Sequence, residues 1–197
     1  MIRIGLTGSI GMGKSAVSAM FAQQGVPVFD ADAEVHRLQR PGGPLIPNIE
    51  ARFPGSTGPK GVDRQKLGAF VFGQPAELRA LERIIHPAVY AARQRFLKQH
   101  RSRPLVVLDI PLLFEKGGSK QADVTLVASA PHWMQAKRVL ARRGMTRQKL
   151  KAIRALQLPD HVKRRLADHV IETGRMKYQT RAQVKQLITC LKQKRGR

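Results

Sequence analysis

Gly8, Gly13, Lys14 and Ser15 stand at the spacing G-x-x-x-x-G-K-[ST] within GLTGSIGMGKSAVSAMF, four residues into the chain. That spacing suits the grip of a polyphosphate. Glycines let the main chain bend so that successive N–H groups turn inward around a phosphate. The helix that follows adds the partial positive charge of its amino terminus. Lys14 then reaches the β and γ phosphates of ATP as a point charge, and the Ser15 hydroxyl ligates Mg²⁺. A glycine-rich turn of purely structural origin is the competing reading, and the position between a strand and a helix counts against it.

A phosphate grip does not name the acceptor. VFDADAEVH places Asp30 and Asp32 at the carboxyl end of a second strand, expected parallel and adjacent to the first, where open α/β sheets bind ligands. Strand alternation sends both side chains to one face. One of them can take the proton of an attacking hydroxyl while lysine and metal handle the phosphates. Asp32 is the favoured base, because Asp30 is equally suited to capping the next helix. Asp109 ends LVVLDIP, an apolar run closed by a carboxylate, which suits the holding of a Mg²⁺-bound water; Glu115 follows six residues later. Loop capping competes for both.

QAKRVLARRGMTRQKLKAIRAL puts Arg138 and Arg142 four apart, expected on one helix face before a break at Gly144. A helical hairpin of this kind can close over a polyphosphate and exclude water, and the planar arginine fork matches phosphate oxygens. Arg142 is the candidate for that role; for the other arginines a solvated helix face competes. His86 and Trp133 are expected to be packing residues rather than catalysts.

These side chains need a scaffold. IRIGLTG reads as a buried strand, KSAVSAMFAQQG as a helix ending at Gly25, and VPVFDAD as a second strand, together a βαβ unit with a parallel sheet. From Ala33 to about Arg103 the patterns are mostly helical: QKLGAFVF, PAELRALERII and PAVYAARQRFLKQH, with weak strand candidates beside RPGGPLIPN and FPGSTGPKG. PLVVLDIP and ADVTLVAS then read as strands covered on both faces. Helical patterns broken at Gly144 and Pro159 follow. DHVIET is a last short strand, and Gly174 leads to the closing helix RAQVKQLITCLKQK.

Composition bounds the answer. A length of 197 residues at 42% apolar content supports one well-buried core. No apolar run approaches the roughly 20 residues of a membrane span, and no signal-peptide pattern opens the chain, so a cytoplasmic protein is expected. Cys190 is alone, which excludes an internal disulfide and a cysteine metal cluster. Of a net charge of +23, residues 137–197 carry +16. Such a field attracts polyanions. Stacking on single-stranded nucleic acid asks for aromatics among the basic residues, and this segment has only Tyr178, so nucleic acid is not the expected partner.

LTGSIGMGKS, VFDAD, LERIIHP, IPLLFE, RVLAR and KRRLADHVIETG occur in the order and spacing of one family. In them the chain resembles the dephospho-coenzyme A kinases, over nearly its whole length. PLLFE and ADHVI with the glycine loop separate this pattern from shikimate kinases and nucleoside monophosphate kinases. The resemblance implies transfer of the ATP γ-phosphate to the ribose 3′-hydroxyl of dephospho-CoA. It implies a P-loop nucleoside-triphosphate-hydrolase-type α/β fold, a three-layer α/β/α parallel sheet with a helical substrate-binding insertion and a helical lid. The implied parts are a core of residues 1–32, 104–136 and 167–197, an insertion of 33–103 that binds the CoA moiety, and a basic lid of 137–166, one domain over about 2–195.

Carried across residue by residue, Gly11, Met12, Gly13, Lys14, Ser15 and Ala16 form the ATP loop, Asp32 is the base, and Arg142 is the lid arginine. Ser15 is the expected Mg²⁺ ligand; the water-mediated role of Asp109 rests on its place at the end of LVVLDIP and not on the resemblance, since that position is apolar in some relatives. The expected partner is dephospho-CoA, with no membrane and a monomer or weak oligomer. Ser9 stands where many relatives have glycine and Ala16 where threonine is usual, and neither change removes a backbone donor. VIETG lacks the asparagine of the common VIxNxG form.

Overall fold

The protein is described from a computed structural model covering residues 1–115 and 117–195. The last two residues of the basic tail KQKRGR, and with them the end of the expected core segment 167–197, lie outside the described residues. The chain divides into two compact units, Met1–Phe29 with His100–Arg197, and Asp30–Gln99.

The first unit is built on apolar strands. β1 (Ile2–Thr7) lies between β5 (Leu105–Asp109) and β6 (Val124–Ser129), and β7 (His169–Glu172) follows β6. The β1–β5, β1–β6 and β6–β7 pairs are all parallel, with Leu6 opposite Asp109 and Thr7 opposite Val127. β2 (Val28–Asp30) forms the far edge, giving the order β2-β5-β1-β6-β7. The second strand is therefore not adjacent to the first, as its sequence position suggested, because β5 enters between them.

One face of the sheet presents Ile4, Leu6, Leu105, Val107, Leu126, Ala128 and Ile171. They pack on Val17, Met20 and Phe21 of α1 (Lys14–Gln23) and on Val184, Leu187 and Leu191 of α9 (Lys177–Arg195). The period of two in the strands and of three to four in the helices creates these matching stripes. Residues of the other face, Gly5, Val106, Leu108 and Val127, are buried as well. A Cβ at Gly5 would come within 2.9 Å of Ala122 and 3.1 Å of Leu113. Strands covered on both faces explain the unbroken apolar runs.

After β6 come α6 (His132–Leu140), α7 (Arg147–Ala155) and α8 (Asp160–Leu166), interrupted at Gly144, with φ of 75°, and at Pro159, the residue before α8. Arg142 lies in the turn beyond α6, so it does not share a helix face with Arg138. Trp133 is 64% exposed and takes no part in the core.

The second unit contains α2 (Ala31–Leu38), α3 (Ile46–Arg52), the hairpin of β3 (Thr57–Gly58) and β4 (Gly61–Val62), α4 (Arg64–Val71) and α5 (Pro75–Gln99). Its core is Leu38, Leu45, Ile49, Phe53, Leu67, Ala80 and Leu81. The two helical patterns on either side of His86-Pro87 form one helix of 25 residues. Proline removes a hydrogen bond there, typically at a cost of about 3 kcal/mol. Ile84, Ile85, Ala88 and Val89 pack against the core around the proline and hold the helix continuous. His86 is exposed on it rather than packed.

Asp30 ends β2, and its carboxylate accepts from the Ala33 N–H at 2.9 Å, capping α2. Helix therefore begins at Ala31, and Asp32 sits in the first turn of α2. Strand alternation does not relate the two carboxylates, which corrects the expectation that both project from one strand face. Among the described residues no helix is long and apolar enough to cross a membrane.

Candidate active site

The loop between β1 and α1 is held from the outside. Gln135 of α6 donates Nε2–H to the Ile10 carbonyl at 2.9 Å, and the Thr173 hydroxyl donates to the Met12 carbonyl at 2.6 Å. A trans peptide points its C=O and N–H in opposite directions. Outward carbonyls at Ile10 and Met12 therefore turn the N–H groups of Gly11 and Gly13 to the inner side of the loop. Gly13 precedes α1 at φ 88° with no side-chain cap on the helix. The Ala16 N–H donates to the Gly13 carbonyl at 3.0 Å, so the amides that open α1 toward an anion are those of Lys14 and Ser15.

Two of the glycines are required by their surroundings as well as by their backbone. A Cβ on Gly11, at φ 75°, would stand 2.5 Å from Val139 Cγ2; one on Gly13 would stand 2.6 Å from Thr173 Oγ1. Both positions are closed to any L side chain.

Lys14 opens α1, and its ammonium pairs with Asp109, the last residue of β5. Asp109 is 1% exposed, while the Lys14 side chain keeps 17% exposure. The parallel register that sets Leu6 opposite Asp109 brings this carboxylate beside the start of the loop. Ser15 is exposed on the first turn of α1. Among the described residues no group of three or more His, Cys, Asp or Glu could cage a metal. Magnesium commonly relies on one or two protein oxygens plus substrate phosphates and water, and the Ser15 hydroxyl and Asp109 carboxylate are oxygen donors of that kind.

Glu115 does not serve the loop. Its Oε1 lies 2.8 Å from the fully buried Lys163 Nζ of α8 and accepts from the Leu158 N–H at 2.9 Å. Burial pushes its pKa up, but the bonds to Lys163 and Leu158 prevail and hold it below the usual carboxylate value. It fastens the turn after β5 to α8.

Arg138 has a role that its sequence position did not reveal. Its Nη2 donates to the Thr173 carbonyl at 2.7 Å and its Nη1 to the Thr173 hydroxyl at 3.1 Å. Because Thr173 in turn holds Met12, Arg138 braces the glycine loop through the end of β7. Arg142 is exposed.

The motif ADHVI fixes β7 to β6. Asp168 accepts from both the Thr125 N–H and its hydroxyl at 2.7 Å, and these bonds lower its pKa, the hydroxyl contributing most. A cavity of about 1160 Å³ opens beside Ser9 and Met12, with Ser129, Gln135, Lys151 and Asp160 among its lining residues. Lys14, Ser15 and Arg142 do not line it.

A family model described as dephospho-CoA kinase matches residues 2–177. The chain belongs to the dephospho-CoA kinase family. It is 57% identical over 194 residues to the dephospho-CoA kinase of Novosphingobium aromaticivorans, covering 98% of this chain and 96% of that one. Among solved structures it is similar to TT1252 from Thermus thermophilus, with TM-score 0.81, 36% identity and coverage of 95% and 96%. It also shares its fold with the dephospho-CoA kinase from Campylobacter jejuni, at TM-score 0.71, 22% identity and 98% coverage of each chain. The α/β fold with a parallel five-stranded sheet agrees with the sequence expectation and is that of P-loop kinases. The resemblance read from the glycine loop, PLLFE and ADHVI therefore named the right family.

Proposed function

We propose that the chain carries out the dephospho-CoA kinase reaction with ATP on its glycine loop, Asp32 as base and Arg142 as lid arginine. As a member of this family it is an ATP-dependent phosphotransferase, passing the γ-phosphate to the ribose 3′-hydroxyl of dephospho-CoA and releasing CoA and ADP. The observation that carries the assignment of roles is the loop itself, braced from outside by Gln135 and Thr173, with Lys14 at its end.

In this reading Gly11, Met12, Gly13, Lys14, Ser15 and Ala16 hold the triphosphate. Lys14 neutralises the β and γ oxygens as charge shifts toward the leaving ADP. Asp32 takes the proton from the 3′-hydroxyl as its oxygen bonds to the γ phosphorus and the bond to the bridging oxygen breaks. Its exposed place after the end of β2 supports this role. Arg142 pairs with the transferring phosphoryl group. Bound Mg²⁺, held by Ser15 and through water by Asp109, would add neutralising charge.

The helical segment 33–103 takes the CoA moiety, and 137–166 acts as the lid. Dephospho-CoA is the small-molecule partner of a cytoplasmic monomer or weak oligomer, and the +23 charge serves phosphate-rich substrates rather than nucleic acid. Incubation with MgATP and, in parallel, dephospho-CoA, shikimate, a nucleoside monophosphate or RNA tests this. ADP release with dephospho-CoA alone is expected; release with any of the others in its place overturns the substrate.

A further inference from the structure

We infer that Gln157, in the link between α7 and α8, is a positioning residue for ATP binding that acts by fixing the peptides on either side of Ile10. Gln157 Oε1 accepts from the Ile10 N–H at 3.0 Å, and Gln135 Nε2 donates to the Ile10 carbonyl at 2.9 Å. The first bond fixes the Ser9–Ile10 peptide and the second the Ile10–Gly11 peptide. Because each peptide is planar, the pair of glutamines sets the direction in which the Gly11 N–H faces. Gln135 belongs to α6, whereas Gln157 arrives through the chain beyond α7. The glycine loop is therefore shaped by both arms of the basic helical segment.

Gln157 is itself held in place. The next residue, Leu158, donates its N–H to Glu115 Oε1 at 2.9 Å, and Glu115 pairs with the fully buried Lys163 of α8 at 2.8 Å. Two consecutive residues thus tie one link to two loops: Gln157 to the glycine loop after β1, and Leu158 to the turn after β5. Movement of α7 that pulls on the link reaches Ile10 through Gln157, while Leu158 stays tied to Glu115 and its ion pair with Lys163. ATP affinity then becomes sensitive to the position of α7. The side-chain bond of Gln157 ends on the backbone of the loop, so its effect is expected there. The inference rests on the reading of that loop as the ATP site.

The test uses the full chain. In Gln157→Ala the Ile10 N–H loses its acceptor, and hydrogen exchange at that amide, followed by NMR, should accelerate about tenfold. KM for ATP should rise about five- to tenfold, the scale of one neutral hydrogen bond, while kcat and KM for dephospho-CoA stay within about twofold. Gln157→Glu keeps an acceptor oxygen and should restore protection of the Ile10 amide. If Gln157→Ala does not fold, Gln157→Asn, which is one methylene too short to reach, is read by the same measures. Unchanged Ile10 exchange or unchanged KM for ATP overturns the inference, as does an equal rise in both KM values, which would mark a general structural role. A Lys14→Ala control separates the two levels: if it leaves KM for ATP intact, the ATP site assignment fails, whatever Ile10 does.

Discussion

Lys14, the first residue of α1, and Asp109, the last of β5, form an ion pair, with the carboxylate almost wholly buried and the ammonium partly open to solvent. The lysine is thereby held at the end of the glycine loop, and Asp109 is the carboxylate proposed to act on Mg²⁺ through water. Asp109→Asn keeps the size of the side chain but removes its charge. Turnover should fall about a hundredfold, and the Mg²⁺ concentration for half-maximal rate should rise. A Mg²⁺ titration of initial rates checks this, and an unshifted midpoint would leave Asp109 as a tether for Lys14 alone.

Asp32 stands in the first turn of α2, exposed, while Asp30 is occupied as the cap of that helix. Only one of the two carboxylates is therefore uncommitted to the local backbone fold. Asp32→Asn should lower kcat by roughly two orders of magnitude or more and leave KM for ATP nearly unchanged. Asp30→Asn, which retains a capping oxygen, should lower kcat far less. Steady-state kinetics of the two variants side by side decide which carboxylate takes the proton.

Much of this was legible in the residues. The glycine loop lies between β1 and α1, the runs ending at Asp109 and Ser129 are strands, and the helices break at Gly144 and Pro159, because each of these is dictated by local sequence. Apart from His86 and Trp133, expected to pack and found exposed, the misreadings turn on partners distant in the chain or on where an element stops. Strand VPVFDAD ends at Asp30 because its own carboxylate caps a helix, so alternation never reaches Asp32. Pro87 failed to end a helix because the packing of its neighbours outweighs one lost hydrogen bond. Glu115 found Lys163 and Arg138 found Thr173, each far along the chain, and nothing in their local patterns points to those partners.

Arg138 and Arg142 should separate cleanly in a kinetic comparison. Arg138 braces Thr173, which holds the Met12 carbonyl, so Arg138→Ala should raise KM for ATP about tenfold and lower the melting temperature by a few degrees. Arg142 is exposed in the turn after α6. Arg142→Ala should leave the melting temperature alone and lower kcat about ten- to a thousandfold if the arginine meets the transferring phosphoryl group. A stable Arg142→Ala enzyme at full rate would return that residue to the surface.

Asp168 gives the fold an acid-sensitive joint between β6 and β7. Its carboxylate takes two hydrogen bonds from Thr125, and the Asp168 N–H donates back to the Thr125 hydroxyl at 3.0 Å. These bonds favour the charged form and hold the pKa below its ordinary 3.8. A carboxylate with a depressed folded pKa adds stability that is fully present above the unfolded value and disappears as pH falls through the folded one. The contribution is therefore complete at pH 7 and is lost below about pH 4. Asp168→Asn should unfold at a urea concentration roughly 0.2 to 0.5 M lower at pH 7, the scale of one solvent-screened charged contact. The gap between variant and parent should narrow between pH 5 and pH 3, since the parent alone loses this charge. Urea titrations at pH 7, 5 and 3 measure it, and a gap that stays constant would mean that the bonds to Thr125 do not depend on the charge.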